Sequence, residues 1–211
     1  MPRPSRALDQ RLLTAARQLV ETKGFSALTV RAMASRARVH PGMFHYHFKN
    51  RRVFKQRMFA LFHEDFFWEF LGALGGEKDP VLRLRRALAF LGAFIRNHRG
   101  LGLSLVQDAL AGDPDTLAFI RAHFLRHGRL ILETLAEGQA AGRLRSIPLP
   151  NVIVSVLGTV GLPLILMEAL RRAGTREPFG FPRAVFEDAL SSDAGLAEQI
   201  ELLMRGLRRG A

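Results

Sequence analysis

The chain has 211 residues, 48% of them hydrophobic, enough to bury one large core or a small domain joined to a larger one. It contains no cysteine, which excludes disulfides, thiolate metal sites and cysteine nucleophiles, and its opening MPRPSRALDQ lacks the apolar stretch of a secretory signal, so a cytoplasmic location is expected. The formal charge of +12 is concentrated at one end: residues 1–58 carry thirteen Lys or Arg against Asp9 and Glu21, a net of +11, and the rest of the chain is close to neutral.

In chain order, the first helix is expected from about Leu8 to Thr22, with Leu12, Ala16, Leu19 and Val20 inward and Lys23-Gly24 as its stop. Thr29 to Phe48, TVRAMASRARVHPGMFHYHF, then read as two short helices joined by a tight turn. Val30, Met33, Ala34 and Ala37 repeat at i, i+3, i+4, i+7 and form an inner face, leaving Arg31, Ser35, Arg36 and Arg38 elsewhere. The second helix of the pair is expected to begin at Pro41, a residue suited to a first helical position, and to bury Phe44 and Phe48 one turn apart, with His45, Tyr46 and His47 near the surface.

A fourth helix starts near Arg51, carries Phe54, Met58, Leu61, Phe62 and Asp65 along one side, and ends at Gly75-Gly76. Further helices are expected over 81–97, 103–110, 114–138, 152–172 and 196–208, with a loop at 174–182 and a short helix at 183–190. No stretch alternates with the period of a strand, so the class is all-α. The division expected is a helix-turn-helix DNA-binding domain at 1–58 and a larger helical domain at 59–211. A cationic helix pair on a near-neutral body points to a polyanion partner, because neutralising phosphates and releasing counterions supplies most non-specific DNA affinity.

Helix one ending in KGF, then LTVRAMASRARV, then HPGMFHYHFKNRRVF, strongly resembles the N-terminal domain of the tetracycline-repressor (TetR) family of bacterial transcriptional regulators over roughly residues 8–60. The remainder resembles the family in length and helical character only. Two departures stand out. Ala37-Arg38 replaces the family's usual Ala-Gly, which puts Arg38 where glycine commonly supplies a left-handed backbone, and His45 and Arg51 stand where the family commonly has Tyr and Lys.

A recognition helix docks with its N-terminal half against base edges in the major groove. Pro41, Gly42 and Met43 would then face the bases, with Met43 offering an apolar contact to a thymine methyl. Arg31 matches a family position that can reach a base. His45, Tyr46, His47 and Arg51 are expected on phosphates, and Thr29 is expected to cap helix two and donate to a phosphate. Arg3, Arg6 and Arg11 form a basic arm and helix start beside them.

The resemblance implies an effector-binding domain that pairs into a homodimer and double-stranded DNA with an inverted-repeat operator as partner, with repression as the family default. The uncharged run Ser146 to Met167 is the candidate dimer helix, and Leu196, Ile200, Leu203 and Leu207 supply an edge to complete a four-helix dimer bundle. Three prolines within that run and the absence of a second apolar span argue against a membrane. Phe62, Phe66, Phe67, Phe70, Phe90, Phe94, Phe119 and Phe124, with Trp68, are candidates to line a pocket for a small hydrophobic effector. His123 and His127 have the spacing of a two-histidine half-site but no identifiable third ligand, so neither metal nor cofactor is expected. No phosphate loop, nucleophile elbow or catalytic carboxylate pair is present, which argues against an enzyme. A non-specific architectural DNA-binding protein is the alternative, since charge alone accommodates both.

Overall fold

The computed structural model describes residues 4–208, without the side chains of residues 4–7, 26, 51 and 124–127. The described chain is all-α, with an N-terminal three-helix helix-turn-helix domain followed by a larger helical part. It divides into two compact units, Met1–Asp65 with Gly100–His123, and Phe66–Arg99 with Phe124–Ala211. The division inside the fourth helix thus falls after Asp65, and the first unit regains the chain at 100–123, which a single cut after residue 58 does not anticipate.

The first unit contains α1 (Pro4–Lys23), α2 (Val30–Ala37), α3 (Gly42–His47), the start of α4 (Arg51–Leu74), α6 (Arg99–Leu110) and α7 (Pro114–Phe119). Its core is made by Leu12, Ala16, Leu19 and Val20 of α1, Met33 and Ala37 of α2, Phe44 and Phe48, and Phe54, Met58, Phe59 and Phe62 of α4, with Leu101 of α6. The faces read from apolar spacing are those that pack.

Thr29 starts α2 by accepting the Ala32 N–H on its hydroxyl at 3.1 Å. The helix ends where Arg38 turns left-handed, at φ 54° and ψ 50°, and Val39 N–H closes back onto Ala34 O at 2.9 Å. That backbone costs a residue with a Cβ about 1–2 kcal/mol relative to glycine. Arg11 covers the helix end, its Nη2 donating to the carbonyls of Ala37 at 2.6 Å and Arg38 at 3.2 Å. Arg11 is therefore a helix cap rather than part of a free arm. Arg3 lies outside the described residues, as does the side chain of Arg6.

The second unit holds the end of α4, α5 (Pro80–Asn97), α8 (Leu125–Ala140), α9 (Leu149–Val156), α10 (Leu162–Arg172), α11 (Arg183–Ser191) and α12 (Asp193–Leu207). Val81, Leu84 and Leu88 meet Leu135, Leu144, Val152, Val156 and Val160, and Leu196, Ile200, Met204 and Leu207 close the same core.

Two spans read as single helices each contain a π-helical turn, Ile120–Phe124 ahead of α8 and Leu157–Gly161 between α9 and α10. The second has a local cause: Pro163 offers no N–H to the carbonyl four residues back, and the wider turn opens just before it. The continuous helix Leu149–Arg172 is long and apolar enough to cross a membrane by length and composition. It nonetheless buries Val152, Val156, Val160, Leu164 and Met167.

The apolar edge of α12, expected to meet a second copy, is turned into its own unit instead. Leu196, Ile200 and Leu207 are buried in the unit's own core, with Leu203 packed against it. Within this unit Val154, Leu157, Leu162, Leu166 and Leu202 are the large apolar residues on α9, α10, α12 and the turn between that remain exposed.

Candidate nucleic-acid interface

The helix α3 is short, and its position is set by two rings. Phe44 and Phe48 lie 5.5 Å apart and both pack on Phe54, at 5.2 and 4.7 Å, and all three are buried. With its inner side fixed this way, α3 presents Gly42, Met43, His45 and Tyr46 to solvent together with the preceding Pro41. Pro41, directly before the assigned helix, already has helical dihedrals, φ −53° and ψ −33°, and its carbonyl accepts the Phe44 N–H at 3.1 Å, so it opens the first turn as its sequence position suggests. A cap that the sequence reading missed is His40, whose Nδ1 accepts the Gly42 N–H at 3.2 Å. A Cβ on Gly42 would sit 3.2 Å from that same nitrogen, so the first turn is tight against the histidine.

Tyr46 is 80% exposed, and its ring lies edge-on to His47 at 5.1 Å. His47 is not at the surface as expected. Its side chain is 5% exposed and its Nδ1 stands 2.5 Å from the buried Asp9 Oδ1, a close approach of α3 to α1 without hydrogen-bond geometry. The pairing joins residues 38 positions apart, and no local pattern announces it. Thr29 and Arg31 are exposed at the start of α2, and the Thr29 hydroxyl is engaged in the cap. The side chain of Arg51 lies outside the described residues.

Several cations that contribute to the basic count are neutralised within the first unit. Arg17 pairs with Asp65 at 3.0 Å and Arg52 with Asp115 at 2.9 Å. Lys55 is held between Asp108 at 2.6 Å and Asp113 at 2.8 Å, with its ammonium over the rings of Phe25 and Phe59 at 4.8 and 5.5 Å. Burial raises the Asp113 carboxyl pKa, but hydrogen bonds from Lys55 and Thr116 outweigh it and leave the group below its ordinary value. Phe25, Met33, Arg52, Phe54 and Lys55 line an open groove of about 420 Å³ with these acids.

Seven of the eight candidate pocket residues have described side chains, and they belong to both units. In the first, Phe62 is buried under the Arg17 guanidinium, and Phe119 stacks on Phe59 at 4.5 Å and lies 5.1 Å from His123. In the second, Phe66, Phe70, Phe90 and Phe94 form a continuous ring cluster, with Phe66 at 4.7 Å from Phe94 and 5.5 Å from Phe70. Phe67 sits beside the exposed Trp68. The side chain of Phe124, and that of His127, lie outside the described residues, while the His123 ring approaches His63 at 4.1 Å.

Residues 12–54 match the family described as bacterial regulatory proteins, tetR family. No curated protein matches the chain. Among solved structures, a protein described as a transcriptional regulator from Saccharomonospora viridis, in complex with choline, superposes with a TM-score of 0.75 at 14% identity, covering 97% of this chain and 100% of that one. The ketosteroid transcriptional regulator KstR2 of Mycobacterium tuberculosis gives 0.70 at 17% identity over 96% and 95% of the two chains. A TetR family transcription regulator from Marinobacter aquaeolei VT8 gives 0.68 at 15% identity over the full length of both. At these identities the likeness is one of fold, while the match over residues 12–54 covers the helix pair and the rings that seat it.

Proposed function

We propose that this chain, whose residues 12–54 match the tetR family of bacterial regulatory proteins, is a homodimeric cytoplasmic repressor of the TetR type that holds an inverted-repeat operator and is released by a small hydrophobic effector. The observation that carries this is the exposed edge of α3, Pro41, Gly42, Met43, His45 and Tyr46, seated on the buried Phe44 and Phe48. Only side chains free of packing duty can read a groove. Gly42 and Met43 at the N-terminal end approach base edges, Arg31 reaches a base or its phosphate, and Thr29, His45, Tyr46 and Arg51 hold the backbone in register. His47 lies behind them, close against Asp9 of α1.

In this reading residues 1–58 bind DNA, and residues 59–211 bind effector and form the dimer. The half-buried rings of Phe66, Phe90 and Phe94 support an apolar or aromatic effector. The exposed Val154, Leu157, Leu162 and Leu166 support a second copy packed on α9 and α10. Two recognition helices must sit about one turn of DNA apart, roughly 34–36 Å. An effector that binds the DNA-competent and released states unequally shifts the population between them and releases the operator.

Selection of bound duplexes from a random library, with competitor DNA at near-physiological salt, tests the proposal. An inverted-repeat motif is expected. Enrichment without any motif from folded protein would leave the architectural reading in its place.

A further inference from the structure

The groove between α1 and α2 is lined by Gln10, Arg11, Thr14, Gln18, Arg36 and Arg38, has a volume of about 510 Å³, and includes no carboxylate among its lining residues. Several arginines elsewhere in the described chain pair with acids: Arg17 with Asp65, Arg52 with Asp115, Arg96 with Asp193, Arg143 with Asp79. In the groove they are held by neutral acceptors instead. Arg11 donates to the backbone carbonyls of Ala37 and Arg38, and the Arg36 Nε donates to Gln18 Oε1 at 2.7 Å. Both guanidiniums are thus oriented without being discharged.

Arg38 supplies an independent observation. It is an arginine at φ 54°, a backbone setting that favours glycine, and it projects an exposed side chain beside the other two. Strain retained at a surface position is a pointer toward function. The carbonyls that end α2 would repel an anion, but Arg11 covers the last two of them.

We propose that this groove binds a phosphate group, with Arg36 and Arg38 as the charged contacts, Arg11 as a third cation behind them, and Gln10 and Thr14 as neutral donors. Three guanidiniums converging on one site, two of them pre-oriented, match the forked geometry with which arginine binds phosphate oxygens. The phosphate comes either from DNA backbone flanking the operator or from a free phosphorylated solute. Residues of the α3 edge take no part in it.

The test is a titration of the full chain with inorganic pyrophosphate, without DNA, followed by calorimetry and by the melting temperature. Saturable binding is expected, weakened at least fivefold in Arg38→Gly and in Arg36→Gln and unchanged in Arg129→Gln, at an exposed arginine of the second unit. Arg38→Gly relieves the left-handed strain, so its unliganded melting temperature is expected to equal or exceed that of the wild type, which separates lost binding from lost folding. Repetition with saturating duplex distinguishes the sources. Exclusion of pyrophosphate by DNA with long flanks assigns the groove to backbone phosphate, and undiminished binding assigns it to a free solute. Absence of saturable binding in the wild type, or equal binding in wild type and both groove variants, overturns the proposal, whether or not the chain reads DNA as a repressor.

Discussion

Gly100, near the start of α6, is placed so that a single methyl group should be costly. A Cβ there would lie 1.9 Å from Glu21 O and 2.8 Å from Glu21 Cα, backbone atoms that cannot rotate aside, whereas ordinary contact begins at 3.4 Å. Gly100→Ala therefore requires α6 and α1 to part by about 1.5 Å, the difference between the 3.4 and 1.9 Å distances. That movement strains the hydrogen bond from Leu101 N–H to Glu21 Oε2, now 3.3 Å, and loosens the buried Leu101 and Leu103. Overpacking of this kind costs about 3 kcal/mol, the upper end of its usual range, because the obstacle is main chain. At roughly 2–4 °C per kcal/mol for a chain of this size, the melting temperature should fall by about 6–12 °C. Gly128→Ala on α8 is the control, since nothing lies within 4 Å of its Cβ position, and helix propensity favours alanine by about 1 kcal/mol. Thermal unfolding followed by circular dichroism reads both. A Gly100→Ala transition within about 2 °C of wild type, or an equal drop in Gly128→Ala, would refute the close-approach argument.

Tyr46→Phe should leave stability within about 0.5 kcal/mol, since the residue is exposed, while weakening operator binding roughly fivefold through a lost phosphate hydrogen bond; equal affinity in a mobility-shift titration would remove Tyr46 from the interface. Glu168 is 4% exposed, and although burial raises its carboxyl pKa, hydrogen bonds from Arg171 and Arg172 leave it below the ordinary 4.5. Because the unfolded chain takes up a proton at higher pH than the native one, this contribution is complete above pH 4.5 and disappears as pH falls through the native value. Glu168→Gln should lower stability at pH 7 by about 2 kcal/mol in urea unfolding and flatten the acid limb, and an unchanged acid limb would show the pair to be inert. Leu162→Glu, at a residue 61% exposed, should reduce the dimer fraction in sedimentation at micromolar protein without lowering helix content; a dimer of undiminished strength would move the interface away from α10.

Much of the architecture was written in apolar spacing, because a face repeating at i, i+3, i+4, i+7 is a local property of the chain. Met33, Ala34 and Ala37 pack as that rule requires, Phe44 and Phe48 seat α3, and the left-handed turn at Arg38 follows from the helix that stops before it. What the chain conceals is the identity of the covering surface. Leu196, Ile200 and Leu207 form a legible stripe, but periodicity cannot say whether it faces its own unit or a second copy, and the structure turns it inward. The same limit applies to polar partners. Asp9 with His47 and Lys55 with Asp108 and Asp113 are made across dozens of residues, so histidine and lysine read as surface groups until folding brings the acids to them.

That pairing changes what the basic N-terminal charge can do on DNA. Of the cations in the first 58 residues, Arg17, Arg52 and Lys55 are balanced by carboxylates, and Arg11 and Arg36 are committed to neutral acceptors. Among the described residues, the side chains of Lys23, Arg31, Arg38, Lys49 and Arg57 are left without a hydrogen-bond or ion-pair partner. Each cation that replaces a counterion on duplex DNA contributes about −0.9 to the slope of log K against log salt. If all five of these meet phosphate, one protomer contributes a slope of about −4.5, against about −12 if all thirteen Lys and Arg did so. Operator binding measured from low to moderate salt should fall with a slope of about −9 for a dimer from these five alone, steepened by about 2 for each further cation that meets phosphate, such as Arg51, Arg11 or Arg36, and Arg31→Gln should reduce its magnitude by about 2. A slope steeper than about −18, the value for a dimer if every cation of residues 1–58 except Arg17, Arg52 and Lys55 meets phosphate, would mean that these three exchange their carboxylates for phosphates on binding, which would make Asp108, Asp113 and Asp115 competitors of DNA rather than supports of the fold.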